Sequence, residues 1–184
     1  MTMTLITGGA RSGKSALAVG IASAWNGAVT LIATAEPRDE EMAAKIARHR
    51  VDRPASWRVV EEPGELGAAL ASTPDEDLVI VDCLTLWVAN LLERGAAADE
   101  VPSTAAAVAK TAGARPAPVI VVTNEVGDGI VPMEPESRAY RDCMGFVNTI
   151  FAREADRVVL VIAGRPVTLG DPEGVIDDVL GVDR

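Results

Sequence analysis

The chain has 184 residues, 48% of them hydrophobic, and a formal net charge of −10, enough apolar material for one domain spanning 1–184 without a disulfide or structural metal. The acidic balance argues against broad binding to nucleic acid or anionic lipid, because the summed field repels a polyanion, and a phosphate ligand therefore needs a local cationic pocket. Cys83 and Cys143 are far apart, with no CxxC and no histidine at metal spacing, which suggests neither a disulfide framework nor a zinc site and suits a reducing cytoplasm.

The elements, in chain order, begin with the strand TLIT (4–7), the loop GGARSGKS and a helix over 14–24. A strand VTLIAT (29–34) precedes a helix over 39–49, and WRVV (57–60) reads as a further strand towards an edge. A helix over 65–71, the strand LVIVDC (78–83) and a helix over 84–93 follow. The alanine-rich stretch 95–113 reads as a loop running into a surface helix over 104–112. PVIVVT (118–123), a helix over 135–155 and RVVLVIA (157–163) complete the alternation. The tail 171–184 reads as a short docking helix, through Val175, Ile176, Val179 and Leu180, or as a frayed end. Nearly continuous apolar strands alternating with helices predict a three-layer α/β fold, P-loop NTPase-like, with a mostly parallel central sheet buried on both faces. No run approaches the ~20 apolar residues of a membrane span, and MTMTLITGG has no basic leader, so a soluble, unprocessed protein is expected.

GGARSGKS matches GxxxxGK[ST] and lies between a strand and an apolar-periodic helix, the context its chemistry requires. Glycines let backbone N–H groups wrap phosphates, Lys14 reaches the terminal phosphates, and the Ser15 hydroxyl can ligate Mg²⁺. The alternative is a glycine-rich turn without a ligand. Asp82, at the C-terminal end of a buried strand, faces the crevice where open α/β sheets bind ligands and can hold Mg²⁺, or it can cap the following helix. TNEVGDG (123–129) stands where a guanine-reading N/TKxD motif is expected in a GTPase, and lacks its lysine and aspartate. Asn124 and Glu125 share that rim and read equally as ligand contacts or a polar turn.

His49 is the only histidine. Acids open its helix and bases close it, in accord with the macrodipole, and Pro54 stops it. Met42, Ile46 and His49 fall on one face by spacing. One reading is a histidine bonded to free carbonyls at a helix end. The other starts from Lys45, Arg48, Arg50 and Arg53, which disfavour an imidazolium and attract phosphate, leaving a neutral ring to act as base or nucleophile.

Taken together, GGARSGKS, IAT, DEEMAAKIARHRVDRPASWRVVEEP, VDCLTLWVANLL, VTNEVGDGIVP, RAYRDCMGFVN and ADRVVLVIAG resemble the bifunctional adenosylcobinamide kinase / adenosylcobinamide-phosphate guanylyltransferase family of cobalamin biosynthesis. The resemblance implies phosphorylation of the aminopropanol hydroxyl of adenosylcobinamide by ATP or GTP. GMP then passes from GTP to the new phosphate, with loss of pyrophosphate, through a guanylyl-histidine at His49. Independently of the resemblance, the P-loop chemistry gives Lys14 a catalytic role and Ser15 and Asp82 the Mg²⁺. Nucleotide contacts are implied at Gly8, Gly9, Ala10, Arg11, Ser12, Gly13, Lys14, Ser15, Ala33, Thr34, Ala35, Arg50, Val51, Asp52, Arg53, Glu61, Asp82 and Cys83, and a homotrimer is the implied assembly. The chain departs from the family pattern at Thr149, where an amide is expected, and at Tyr140, where a phenylalanine is. Without the resemblance, a small-molecule kinase lacking guanylyl transfer or a nucleotide-dependent regulatory protein fits the P-loop as well.

Overall fold

The computed structural model describes residues 3–51 and 53–175, with Lys45, His49 and Val51 described by their backbone. The elements run β1 (Met3–Thr7), α1 (Lys14–Ser23), β2 (Val29–Ala33), α2 (Glu40–Val51), β3 (Arg58–Glu61), α3 (Leu66–Ser72), β4 (Leu78–Asp82), α4 (Leu84–Glu93), α5 (Val101–Gly113), β5 (Val119–Val122), α6 (Pro135–Glu154), β6 (Arg157–Ile162) and β7 (Arg165–Leu169). One seven-stranded sheet has the order β3-β2-β4-β5-β1-β6-β7. Every neighbouring pair is parallel except β6–β7.

The unbroken apolar runs follow from burial on both faces. Leu5, Ile32, Val79, Val81, Val119 and Val121 project to one face, where they pack with residues of α3, α4, α5 and α6, including the fully buried Trp87 and Phe151. Their alternates Ile6, Leu31, Ile80, Ile120 and Val122 project to the other face and meet Ala18 and Ala22 of α1. The expected β3 forms, at the sheet edge. All parallel strands therefore end at one rim, and β1 and β4, which carry the phosphate loop and Asp82, are separated there only by β5.

Two expectations need correction. The helix expected on the surface after a loop is α5, which starts at Val101 with Pro102 in its first turn. It buries Val101, Ala105, Val108, Ala109 and Ala112, a stripe at helical spacing. Its alanines are a packing surface, small enough to sit closely between neighbours, rather than a solvated face. The second correction is β7, absent from the sequence reading. It turns back from β6 through Ala163 (φ 49°) and Gly164 (φ 75°), a two-residue hairpin with both central residues left-handed. The possible docking helix of the tail lies largely outside the described residues.

At the opposite end of the sheet from the phosphate loop, Arg115 is 5% exposed and closes the end of α3. Its Nη1 donates to Leu70 O (2.9 Å) and Thr73 O (3.1 Å), and its Nη2 to Pro74 O (2.6 Å) and Asp77 O (3.3 Å). Truncation removes charge-assisted bonds, strands buried carbonyls and opens a cavity. Arg115→Ala is expected to lower unfolding stability by about 3 kcal/mol while leaving nucleotide affinity unchanged. Urea denaturation and nucleotide titration check the two halves of this prediction.

Candidate active site

Gly8 to Ser15 leave β1 and wrap into α1. Gly8 (φ 143°) and Gly13 (φ 104°) hold conformations that favour glycine. A Cβ on Gly8 would collide with the backbone oxygen of Val161, and one on Gly13 would lie 3.3 Å from Gly164 Cα. The β6–β7 turn thus buttresses the loop, and Gly164 N donates to Ser12 O at 2.8 Å. Because Gly8→Ala must displace the loop, it is expected to weaken nucleotide binding about tenfold or more. Gly20→Ala in α1, where an added methyl meets no neighbour, should leave affinity unchanged in the same fluorescent-nucleotide titration.

Lys14 is 6% exposed. Its Nζ donates to Gly8 O (2.9 Å), Gly9 O (2.6 Å) and Ser12 Oγ (3.3 Å), so the ammonium folds onto the loop that it serves. The loop opens on a cleft of about 760 Å³. Ala10, Arg11, Ser12, Gly13, Lys14, Ser15, Ala33, Ala35, Arg53, Asp82 and Cys83 line it, all named from sequence. Arg48, expected to attract phosphate, and Asn124, read as ligand contact or polar turn, line it too, with Met42 and Ile46 of the same helix face; Ala16, Glu41, Leu86 and Val122 carry no site assignment from sequence. Arg11, Lys14, Arg48 and Arg53 face Glu41 and Asp82 there, a local cationic excess in an acidic chain.

Several sequence-named residues are placed otherwise. Thr34 is buried beneath the rim, where its Oγ1 donates to Cys83 O (2.7 Å) and accepts from Cys83 N (2.8 Å). Gly8 and Gly9 form the loop's entry behind the lining residues. Arg50 is ion-paired with Glu61, outside the cleft lining. Arg53 Nη2 lies 3.0 Å from Asp82 Oδ2, both side chains nearly buried. Two cations suited to phosphate are thus engaged by carboxylates, one of them the sequence-named Mg²⁺ ligand. Val51 ends α2 and His49 stands in its last turn; Asp52 lies outside the described residues.

α2 crosses from the rim of β2 towards β3. Asp39 Oδ1 accepts from Met42 N (2.7 Å) and caps its start. None of its described side chains is fully buried. Met42 and Ile46, one turn apart, give the cleft an apolar wall, and Arg48 adds charge.

At the end of β5, Asn124 lines the cleft and is fixed by Thr85 Oγ1, which accepts from its N (3.2 Å) and Nδ2 (2.9 Å). Glu125 turns away. Its Oε1 accepts from Thr7 Oγ1 (2.8 Å) and Asn148 Nδ2 (3.1 Å), a buttress behind the loop's entry. The sequence left both readings open for this pair, and the structure divides them. The two departures are accommodated locally: Tyr140 donates its hydroxyl to Thr85 O (3.1 Å), and Thr149 Oγ1 bonds Gly145 O (2.9 Å) on an exposed helix face. Burial, then the charge of Asp82, pushes the Cys83 thiol up, which favours the neutral thiol where Cys83 lines the cleft.

A glycine loop at a helix N-terminus, its lysine and an acid two strands away on a parallel sheet define a P-loop nucleotide-binding α/β protein. Residues 4–169 match the cobinamide kinase / cobinamide phosphate guanyltransferase family, and the chain belongs to it. The bifunctional adenosylcobalamin biosynthesis protein CobP of Pseudomonas aeruginosa is 43% identical over 173 residues, 91% of this chain and 98% of its own. The corresponding CobU of Escherichia coli is 39% identical over 179 residues, 88% of this chain and 96% of its own. Among solved structures, a prototypical ATPase from the type III secretion system of pathogenic bacteria superposes with a TM-score of 0.55 at 11% identity, over 97% of this chain and 61% of that one. That likeness speaks to the fold alone.

Proposed function

We propose that this chain phosphorylates the aminopropanol hydroxyl of adenosylcobinamide and then transfers GMP from GTP to the new phosphate. The observation that carries this reading is the sharing of one cleft: the phosphate loop with Lys14 forms part of its lining, and α2, which bears His49, contributes Met42, Ile46 and Arg48 to the same lining. Family membership supplies the chemistry. In the first step the corrinoid hydroxyl attacks the γ-phosphorus of the donor, and the nucleoside diphosphate leaves. In the second, a ring nitrogen of His49 attacks the α-phosphorus of GTP. The N–P bond forms, the bond to the bridging oxygen breaks, and pyrophosphate departs. A phosphate oxygen of the corrinoid then displaces the imidazole and takes the guanylyl group.

The residues present fit Mg²⁺. Ser15 and Asp82 offer hard oxygen donors to the same cleft, and Mg²⁺ is commonly held by one or two protein oxygens together with substrate phosphates. When bound, it supplies charge neutralisation on the departing phosphates. Arg53 shares the Asp82 carboxylate and takes phosphate as that pair opens. A homotrimer is the assembly that the resemblance implies, and the exposed apolar side chains Ile130 (97%) and Met133 (87%) support contact between copies. A cytoplasmic location is proposed on the same resemblance; no described helix is long and apolar enough to cross a membrane.

Product analysis tests the reaction. With adenosylcobinamide, ATP and GTP labelled at the α-phosphate, label is expected in the corrinoid product, with one pyrophosphate released for each label. Accumulation of unlabelled corrinoid phosphate reduces the protein to a kinase.

A further inference from the structure

Asn90 interrupts the apolar run LTLWVANLL in α4 and is 1% exposed. A buried amide must find partners for both ends. Its Nδ2 donates to Thr34 O (2.7 Å) and to Pro63 O (2.9 Å), and its Oδ1 accepts from Arg38 Nη2. The two carbonyls and the guanidinium fix which end of the amide points where. They also belong to three separate segments: the exit of β2, the turn after β3 and the approach to α2.

The same helix adds to this clamp. Trp87, one turn earlier, donates Nε1 to Gly64 O (2.7 Å). Glu93 pairs with Arg38, and Arg94, just past the helix, pairs with Glu36 at 2.8 Å. α2 begins two residues after Arg38 and buries none of its described side chains fully, so core packing does not set its place over the cleft. Its approach is held by Asn90 through Arg38. The phosphate loop is held from elsewhere, by Val161, Gly164 and its own lysine.

We propose that Asn90 is a positioning residue for guanylyl transfer, clamping Thr34, Pro63 and Arg38 so that the helix bearing His49 starts from a fixed point at the cleft. This rests on the proposed role of His49. Misplacement of a nucleophile by about 1 Å is enough to cost as much as a hundredfold in rate.

The test uses the full chain as Asn90→Asp, Arg38→Ala and His49→Ala. Asn90→Asp keeps an acceptor for Arg38 but turns oxygen towards two carbonyls; Arg38→Ala trims a side chain that is 34% exposed and leaves the Asn90 amide in place with its Oδ1 unpaired. Two rates are read: single-turnover transfer of α-label from saturating GTP to protein, and transfer of γ-label to adenosylcobinamide. Labelling of the protein is expected to slow about tenfold or more in both Asn90→Asp and Arg38→Ala, with phosphorylation within about threefold of wild type. Wild-type labelling rates in these variants overturn the proposal, as does a parallel fall of both activities, which marks a purely structural role. Should Asn90→Asp fail to fold, Arg38→Ala decides. An unlabelled wild type, or His49→Ala labelling like wild type, overturns the guanylyl-histidine reading itself and this proposal with it.

Discussion

Lys14→Ala is expected to lower kcat/KM of both half-reactions by about a hundredfold or more. The buried ammonium already ties Gly8 O, Gly9 O and Ser12 Oγ together, so it shapes the loop before any nucleotide arrives. In the proposed reaction those contacts are exchanged for phosphate oxygens, and the charge acts where negative charge develops in each transfer. Loss of the side chain therefore removes both a loop cross-link and an electrostatic contribution. Lys14→Arg should not restore activity, because a planar guanidinium does not fit a site shaped around a compact point charge. Steady-state assays of each half-reaction check this, and recovery by arginine argues that bulk charge alone suffices.

His49→Ala is expected to behave differently. It removes the proposed nucleophile and not the phosphate site, so guanylyl transfer should fall by at least roughly 10⁴-fold while phosphorylation of adenosylcobinamide continues. The separation follows from the layout: the loop is built on β1, α1 and the β6–β7 turn, whereas His49 belongs to α2. Adenosylcobinamide phosphate should therefore accumulate in reactions of this variant. Undiminished formation of the GDP derivative assigns the covalent step to another group or dispenses with it.

The phosphate loop was legible because its glycines and lysine answer to backbone chemistry that travels with the sequence. Gly8 and Gly13 do sit at positive φ, and the strand-to-helix context holds. The parallel core strands were legible for a similar reason, since burial on both faces leaves no polar alternation. The hairpin β6–β7 was not: RPVTL is short, carries a proline and is exposed throughout, so neither periodicity nor hydrophobicity marks it. Its one signal was the Ala163–Gly164 pair, suited to a tight turn. The burial of α5 is not marked in the sequence because alanine is compatible with surface and core alike, and only its partners decide. The charge pairs were illegible in principle. Sequence marks Arg50 and Arg53 as phosphate-seeking, yet Glu61 and Asp82 reach them only across the folded rim. Asn90 left a faint mark, one amide inside an apolar helix, but its three partners are scattered over the chain.

The central claim is that a cleft shared by the phosphate loop and α2 passes a guanylyl group through His49. It is tested most directly by incubating wild-type protein with GTP labelled at the α-phosphate, with GTP binding verified in the same sample. The prediction is an acid-labile, base-stable protein adduct that maps to the peptide containing His49 and is discharged by adenosylcobinamide phosphate. A wild-type protein that binds GTP and takes no label, or whose label lies outside that peptide, contradicts it.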